Sequence, residues 1–296
     1  MANLSLKGTY TALVTPFQKN GSIDFEALKV LLDYQIKGGV EGVVICGSTG
    51  ESATLNQKEK IASITTAIEH VKGKITVIAG TGSNDTQATV DMTVIAKELG
   101  ADAVLIVAPY YNKPTQEGLY FHYKAVADAA DIPNIIYNVP GRSGVNISPE
   151  IQLRLAHNCS NIVATKEASG NLEQIMDIIT NADENFSILS GDDALTLPVI
   201  YMGGHGVISV LSNIAPKAFS NTVRLALKGK IKEANKAHYD LFDLMRLNFI
   251  ESNPIPVKAA LSLMGLCKEI YRLPLTPIQK ENKAIIKVAL KAAELI

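Results

Sequence analysis

The chain has almost no excess of charge of either sign. Its 28 Lys and Arg stand against 29 Asp and Glu, a formal net charge of -1. A nucleic-acid binder needs a positive field, and no basic run supplies one, so nucleic acid is set aside as a partner. Cysteine is scarce. Cys46, Cys159 and Cys267 are odd in number, far apart and without a CxxC pair, which suits a reducing compartment better than a disulfide framework. No apolar run reaches the roughly 18 residues of a membrane span. The stretch Met1–Gly8 lacks the charged-then-apolar layout of a signal peptide. Together these absences set the expectation of a soluble cytoplasmic protein. The histidines His70, His122, His157, His205 and His238 show no HxH or HExxH spacing, and His157 near Cys159 is too little for a metal site. No GxGxxG follows the first apolar run, and no GxxxxGK[ST] occurs. The expectation is an enzyme or binding protein with no metal and no cofactor.

What the chain does have is apolar substance and a strong rhythm. Hydrophobic residues make up 47% of 296 and charged residues 19%, enough for a sizeable core and incompatible with disorder. Eight short apolar runs recur: Tyr10–Val14, Gly42–Cys46, Thr76–Ala79, Ala103–Val107, Asn134–Tyr137, Ile162–Thr165, Ser187–Leu189 and Val207–Val210. They are continuous rather than alternating, as strands covered on both faces are. Amphipathic segments lie between them. Asn56-Gln57-Lys58-Glu59 has capping-box spacing, followed by Ile61, Ile64, Ile68 and Val71 at helical intervals. Val90, Val94, Ile95 and Leu99 line another helix, which Gly100 can stop. Ser148-Pro149-Glu150 is a cap with proline at the first helical position, and Thr276-Pro277 repeats that start.

This alternation predicts an α/β fold, a (β/α)8 TIM barrel with a C-terminal helical appendage; an open doubly wound sheet is the rival. We place the barrel at 1–225 and the helical region at 226–296, with helices over Val223–Lys228, Ile231–Leu244 and Pro277–Leu295. No polar linker separates the two parts.

In such a barrel, residues just beyond the strand C-termini share one mouth. Lys166 follows Ile162–Thr165 and should emerge there. An amine held in a dry cavity loses its charged form and can attack a ketone to give an imine. A lysine paired with Glu167, Asp192 or Asp193 is the equal alternative. Tyr137 ends the adjacent run and can shuttle protons beside the amine, or serve simply as a core tyrosine. The turn Gly47-Ser48-Thr49-Gly50-Glu51-Ser52 offers amides and hydroxyls to a small carboxylate, or is an ordinary capped βα turn. Arg142 in Pro140-Gly141-Arg142 can fork onto a substrate carboxylate or stand as a surface arginine.

Taken in order, Gly47–Ser52, Tyr110-Tyr111-Asn112-Lys113-Pro114, Tyr137–Arg142, Lys166-Glu167-Ala168, Ser190–Asp193, Gly203–Ser209 and Asn253–Lys258 resemble the dihydrodipicolinate synthase family of Schiff-base aldolases, from about Gly8 onward. The resemblance implies condensation of pyruvate with L-aspartate 4-semialdehyde in the diaminopimelate route to lysine. It implies Lys166 as the imine-forming residue and Tyr137 as proton donor and acceptor. Ser48 and Tyr111 would complete the relay, with Tyr111 reaching into a partner subunit's site. Thr49 and Ile208 would contact pyruvate, and Arg142 the semialdehyde carboxylate. It further implies a homotetramer of two tight dimers.

The sequence departs from the family in two places. Ser48-Thr49 stands where many relatives have Thr-Thr, and Lys60 and Ala88 stand where lysine-inhibited relatives carry His and Glu. The second departure predicts weak or absent lysine feedback, although Ser52, Ala53, Asn84 and Tyr110 are kept. Related aldolases acting on N-acetylneuraminate or 2-keto-3-deoxy sugar acids share the lysine and tyrosine but usually differ at Arg142.

Overall fold

The computed structural model describes residues 6–296. Eight parallel strands hydrogen-bond in chain order into a closed barrel. They are β1 Gly8–Ala12, β2 Gly42–Ile45, β3 Thr76–Gly80, β4 Ala103–Val107, β5 Asn134–Asn138, β6 Ile162–Glu167, β7 Ser187–Ser190 and β8 Gly206–Ser209. Closure removes the open-sheet alternative. The helices are α1 Phe25–Gly38, α2 Gln57–Val71, α3 Thr86–Glu98, α4 Gln116–Ala129, α5 Pro140–Ser143, α6 Pro149–Asn158, α7 Leu172–Asn181 and α8 Thr196–Tyr201. They continue with α9 Pro216–Leu227, α10 Ile231–Leu247, α11 Ile255–Leu263 and α12 Lys280–Ala292.

Two compact units can be distinguished, one built on Ile78–Ile208 and one on Thr9–Val77 with Ser209–Ile296. In the first, Leu105, Ile106, Ile135, Ile136, Ala164, Ile188 and Leu189 are buried along successive strands, because strands sandwiched between barrel interior and helices have no solvent face. Ser148 caps α6 by accepting from the Ile151 amide, with Pro149 at its first position. Gly100, at φ +89, follows the end of α3. In the second unit the capping box of α2 is complete. Asn56 Oδ1 accepts from the Glu59 amide and Glu59 Oε2 from the Asn56 amide, both at 3.0 Å, satisfying donors that a helix start leaves open.

Several element boundaries differ from the sequence reading, among them α9, which spans Pro216–Leu227 rather than Val223–Lys228; the departures at β1, β6 and the last helix have a tertiary reason. β1 starts at Gly8 rather than Tyr10 and stops at Ala12. Its start depends on Gly206, where a Cβ would fall 2.0 Å from the Gly8 carbonyl oxygen. Only glycine permits that approach, and Gly8 donates its amide to His205 O at 2.9 Å. Its end is taken over by Asn213, which accepts from the Val14 amide at 3.1 Å and donates to Ala12 O at 2.8 Å. β6 runs on through Lys166 and Glu167, so the lysine lies within the strand rather than after it. The last helix begins at Lys280, not Pro277. The Gln279 amide is engaged by Glu251 Oε1 at 3.0 Å, and Ile278 is drawn inside before the helix can start.

Candidate active site

The strand register decides what Lys166 meets. Tyr137 on β5 pairs with Lys166 on β6, and Lys166 with Leu189 on β7. Residues at one level of adjacent strands project to one face, and the next residue on each strand projects to the other. Tyr137 and Lys166 therefore share a face, and Lys166 Nζ sits 4.1 Å from the centroid of the Tyr137 ring. Both side chains are buried, at 5% and 6% exposure for Lys166 and Tyr137. Among the described residues no carboxylate lies within ion-pair distance of Lys166 Nζ.

Glu167, one of the carboxylates that could have paired with it, turns to the opposite face. There it accepts from Asn138 Nδ2 at 3.1 and 3.2 Å, from Gln152 Nε2 and Gln174 Nε2 at 3.0 Å each, and from the Ser169 amide at 2.9 Å. The space around Lys166 is tight on one side: a Cβ on Gly191 would come within 3.1 Å of Lys166 Cε and 2.5 Å of Ala168 Cβ. The glycine after β7 is what lets the lysine stem lie where it does.

The remaining candidates of this unit occupy three different settings. Ile208 is buried within β8 at 1% exposure. Arg142 lies exposed in α5, which turns sharply after β5, with the Arg142 and Ser143 amides both bonded to Val139 O. Tyr111 is 89% exposed and left-handed at φ +73. Its neighbour Asn112 donates to Asn84 O at 2.8 Å, which anchors the segment beside it.

In the other unit, the turn after β2 is held from several directions. The Gly50 amide donates to Gly47 O, and the Glu51 amide to Ser48 O, at 3.0 and 3.1 Å. Thr15 Oγ1 donates to Gly50 O at 2.7 Å, and a Cβ on Gly50 would press to 3.1 Å on Leu13 O. Ser48 is half-buried and Thr49 is buried. Thr49 Oγ1 accepts from Asn253 Nδ2 at 2.9 Å. Two residues on, Glu51 is left-handed and pairs with Lys258 of α11 at 2.6 Å, both side chains almost fully enclosed. Burial lowers the Lys258 pKa, and the Glu51 charge opposes that shift.

Sequence reasoning singled out neither Asn253 nor Lys258 as a support of this turn. Nor did it see Gln152, Gln174 and Asn138 as the cradle of Glu167. The one usable signal was period two along β6, which sends Glu167 away from Lys166 once the strand is known to extend that far.

A closed parallel barrel with a buried lysine beside a tyrosine on the adjacent strand has the architecture of a lysine-dependent aldolase. Similarity to known proteins narrows that class. The model of the dihydrodipicolinate synthetase family matches residues 5–293, and the chain belongs to that family. It is similar to the 4-hydroxy-tetrahydrodipicolinate synthase of Chlorobium phaeovibrioides, 48% identical over 296 residues and covering 100% of each chain. Among solved structures it resembles the dihydrodipicolinate synthase of Aquifex aeolicus, with 46% identity, a TM-score of 0.97 and 98% and 99% of the two chains covered. It is also similar to the chloride-inhibited, pyruvate-bound enzyme of Acinetobacter baumannii, at 42% identity, TM-score 0.97 and coverage of 99% and 100%.

Proposed function

We infer that the chain condenses pyruvate with L-aspartate 4-semialdehyde to give 4-hydroxy-tetrahydrodipicolinate, in lysine biosynthesis through diaminopimelate. Family membership over nearly the whole chain supports the substrates. The observation that carries the chemistry is the buried amine of Lys166 against Tyr137, with no carboxylate among the described residues to hold it as a structural ion pair.

In this reading Lys166 Nζ attacks the ketone carbon of pyruvate, and the oxygen takes up a proton to give a carbinolamine. A second proton lets that oxygen leave as water, and the nitrogen keeps the carbon as a cationic iminium. The cation draws electrons from the methyl carbon, which loses a proton and becomes an enamine. The enamine carbon bonds to the aldehyde carbon of the second substrate, whose oxygen is protonated to a hydroxyl. The amino group of that substrate then adds to the iminium carbon and displaces Lys166, closing the ring.

Tyr137 is the proposed donor and acceptor for these protons, a role for which its place beside the amine suits it. Ser48 and Tyr111 are proposed as the rest of the relay. Thr49, held by Asn253, and the main chain at Ile208 are assigned to the pyruvate carboxylate. Arg142 is assigned to the carboxylate of the semialdehyde, because a guanidinium fork on an exposed turn matches a planar anion. Serine in place of threonine at 48 keeps the hydroxyl and loses a rotamer-limiting methyl, so activity is retained.

The proposed assembly is a homotetramer of two tight dimers in the cytoplasm. The outward, left-handed Tyr111 supports an aromatic ring directed at a partner. Among the described residues no helix is long and apolar enough to cross a membrane.

Borohydride reduction in the presence of pyruvate, followed by peptide mass mapping, tests the reading. The expected adduct is on Lys166 and is absent from a folded Lys166→Ala variant. A stable adduct on any other residue, or none at all in an active preparation, overturns it.

A further inference from the structure

Glu167 carries a buried charge that the reaction as described does not use. Its side chain is 1% exposed, and all five of its hydrogen bonds come from neutral amides contributed by β5, α6, α7 and the segment after β6. The cradle presents only donors to the two carboxylate oxygens, the arrangement that suits an acceptor. The cradle is itself braced. Asn138 Oδ1 accepts from the Ile147 amide at 3.0 Å, Gln152 Oε1 from Thr165 Oγ1 at 2.7 Å, and Gln174 Oε1 from Asn146 Nδ2 at 2.8 Å. Among the described residues no Lys, Arg or His pairs with Glu167.

The elements packed against β6 add no buried counter-charge. β5 brings Tyr137, and β7 brings no ionisable residue. On α6, Glu150 and His157 are exposed and Arg154 pairs with Glu117. On α7, Glu173 and Asp177 are exposed. Beyond β7, Asp192 is half-exposed and Asp193 is buried. An anion isolated in this way acts on whatever cation forms nearest along its own strand, because the low-dielectric surroundings screen it weakly. The next residue along that strand is Lys166.

Resting on the reading of Lys166 as the imine-forming residue, we propose that Glu167 is a positioning residue whose buried charge stabilises the cationic nitrogen of Lys166 from the helix side of the barrel. The step concerned takes neutral amine, ketone and one proton to iminium and water. A fixed negative charge favours the ammonium and the iminium alike. Where the amine is already protonated, removing the charge costs both states equally and adduct formation changes little. Where the amine is neutral, only the product loses stabilisation.

The test is the pH profile of kcat/KM for pyruvate in the full-length enzyme. Glu167→Gln is expected to move the midpoint of the acid limb down by about one pH unit and to lower the alkaline plateau about tenfold. Glu167→Asp, which keeps the charge, is expected to hold the parental midpoint even if it is less stable. A midpoint unchanged in folded Glu167→Gln, or moved equally by Glu167→Asp, overturns the proposal. If Glu167→Gln does not fold, the exchange E167Q/Q152E keeps the charge in the network but shifts it to α6. It should move the midpoint in the same direction, and an unmoved midpoint again overturns the proposal. Borohydride mapping of the parent separates the two claims: an adduct away from Lys166 defeats the reading of the site, whereas the variants judge Glu167 only once Lys166 is labelled.

Discussion

At the scale of single residues, burial sets the behaviour of groups well away from the chemistry. His122 is nearly enclosed on α4, with Nδ1 2.9 Å from Thr86 Oγ1 and Nε2 without a hydrogen-bond partner. Loss of hydration disfavours the imidazolium and lowers its pKa from 6.5 to about 4, against a smaller opposing pull from Asp85. The unfolded chain therefore takes up this proton at a higher pH than the folded one. The contribution is complete above the unfolded value and is lost progressively as pH falls towards the folded value; below that it is flat. Its ceiling is about 3 kcal/mol, because a tenfold change in proton affinity between the two states is worth ~1.4 kcal/mol. Urea unfolding at a series of pH values should show this slope in the parent and a shallower one in His122→Gln. Equal slopes would mean that another group governs acid stability. The enclosure of Lys166, with no carboxylate at ion-pair distance among the described residues, was in the sequence only one of two equal possibilities.

Between elements, the link from α11 to the turn after β2 is a fully buried ion pair. Lys258 and Glu51 are buried at 2.6 Å, and Glu51 also accepts from the Arg272 amide. Removing one partner strands the other charge in a low-dielectric site, so Lys258→Met should destabilise by about 3–5 kcal/mol. The double variant E51Q/K258M should recover most of that loss, because neither charge is then left alone. Denaturant midpoints and slopes for the three proteins would decide it; a single variant no worse than the double would contradict the account. α11 was hard to see beforehand because it is buried on nearly every side, which leaves no amphipathic stripe to read. α2 was legible from its ends instead. A capping box is written within four consecutive residues and needs no distant partner.

At the scale of the whole molecule, the first turn of α3 bears on feedback by lysine. Ala88 stands in the first turn of α3, where its amide satisfies the Asp85 cap and its side chain is an exposed methyl. A methyl offers nothing to an ammonium group, so lysine should inhibit weakly or not at all. Initial rates across a lysine titration would check this, and inhibition at micromolar lysine would refute it.

The strand order and the closed parallel barrel were already determined by the chain alone. Continuous apolar runs, helix caps and the residues at strand ends are local features, each legible within a few positions. Only the tertiary structure decided where β1 starts, that Lys166 lies inside β6, and that Glu167 faces amides rather than the lysine. Those outcomes depend on residues distant in sequence. A missing Cβ at Gly206 admits Gly8, Asn213 captures the end of β1, and three amide side chains from separate elements close around one carboxylate.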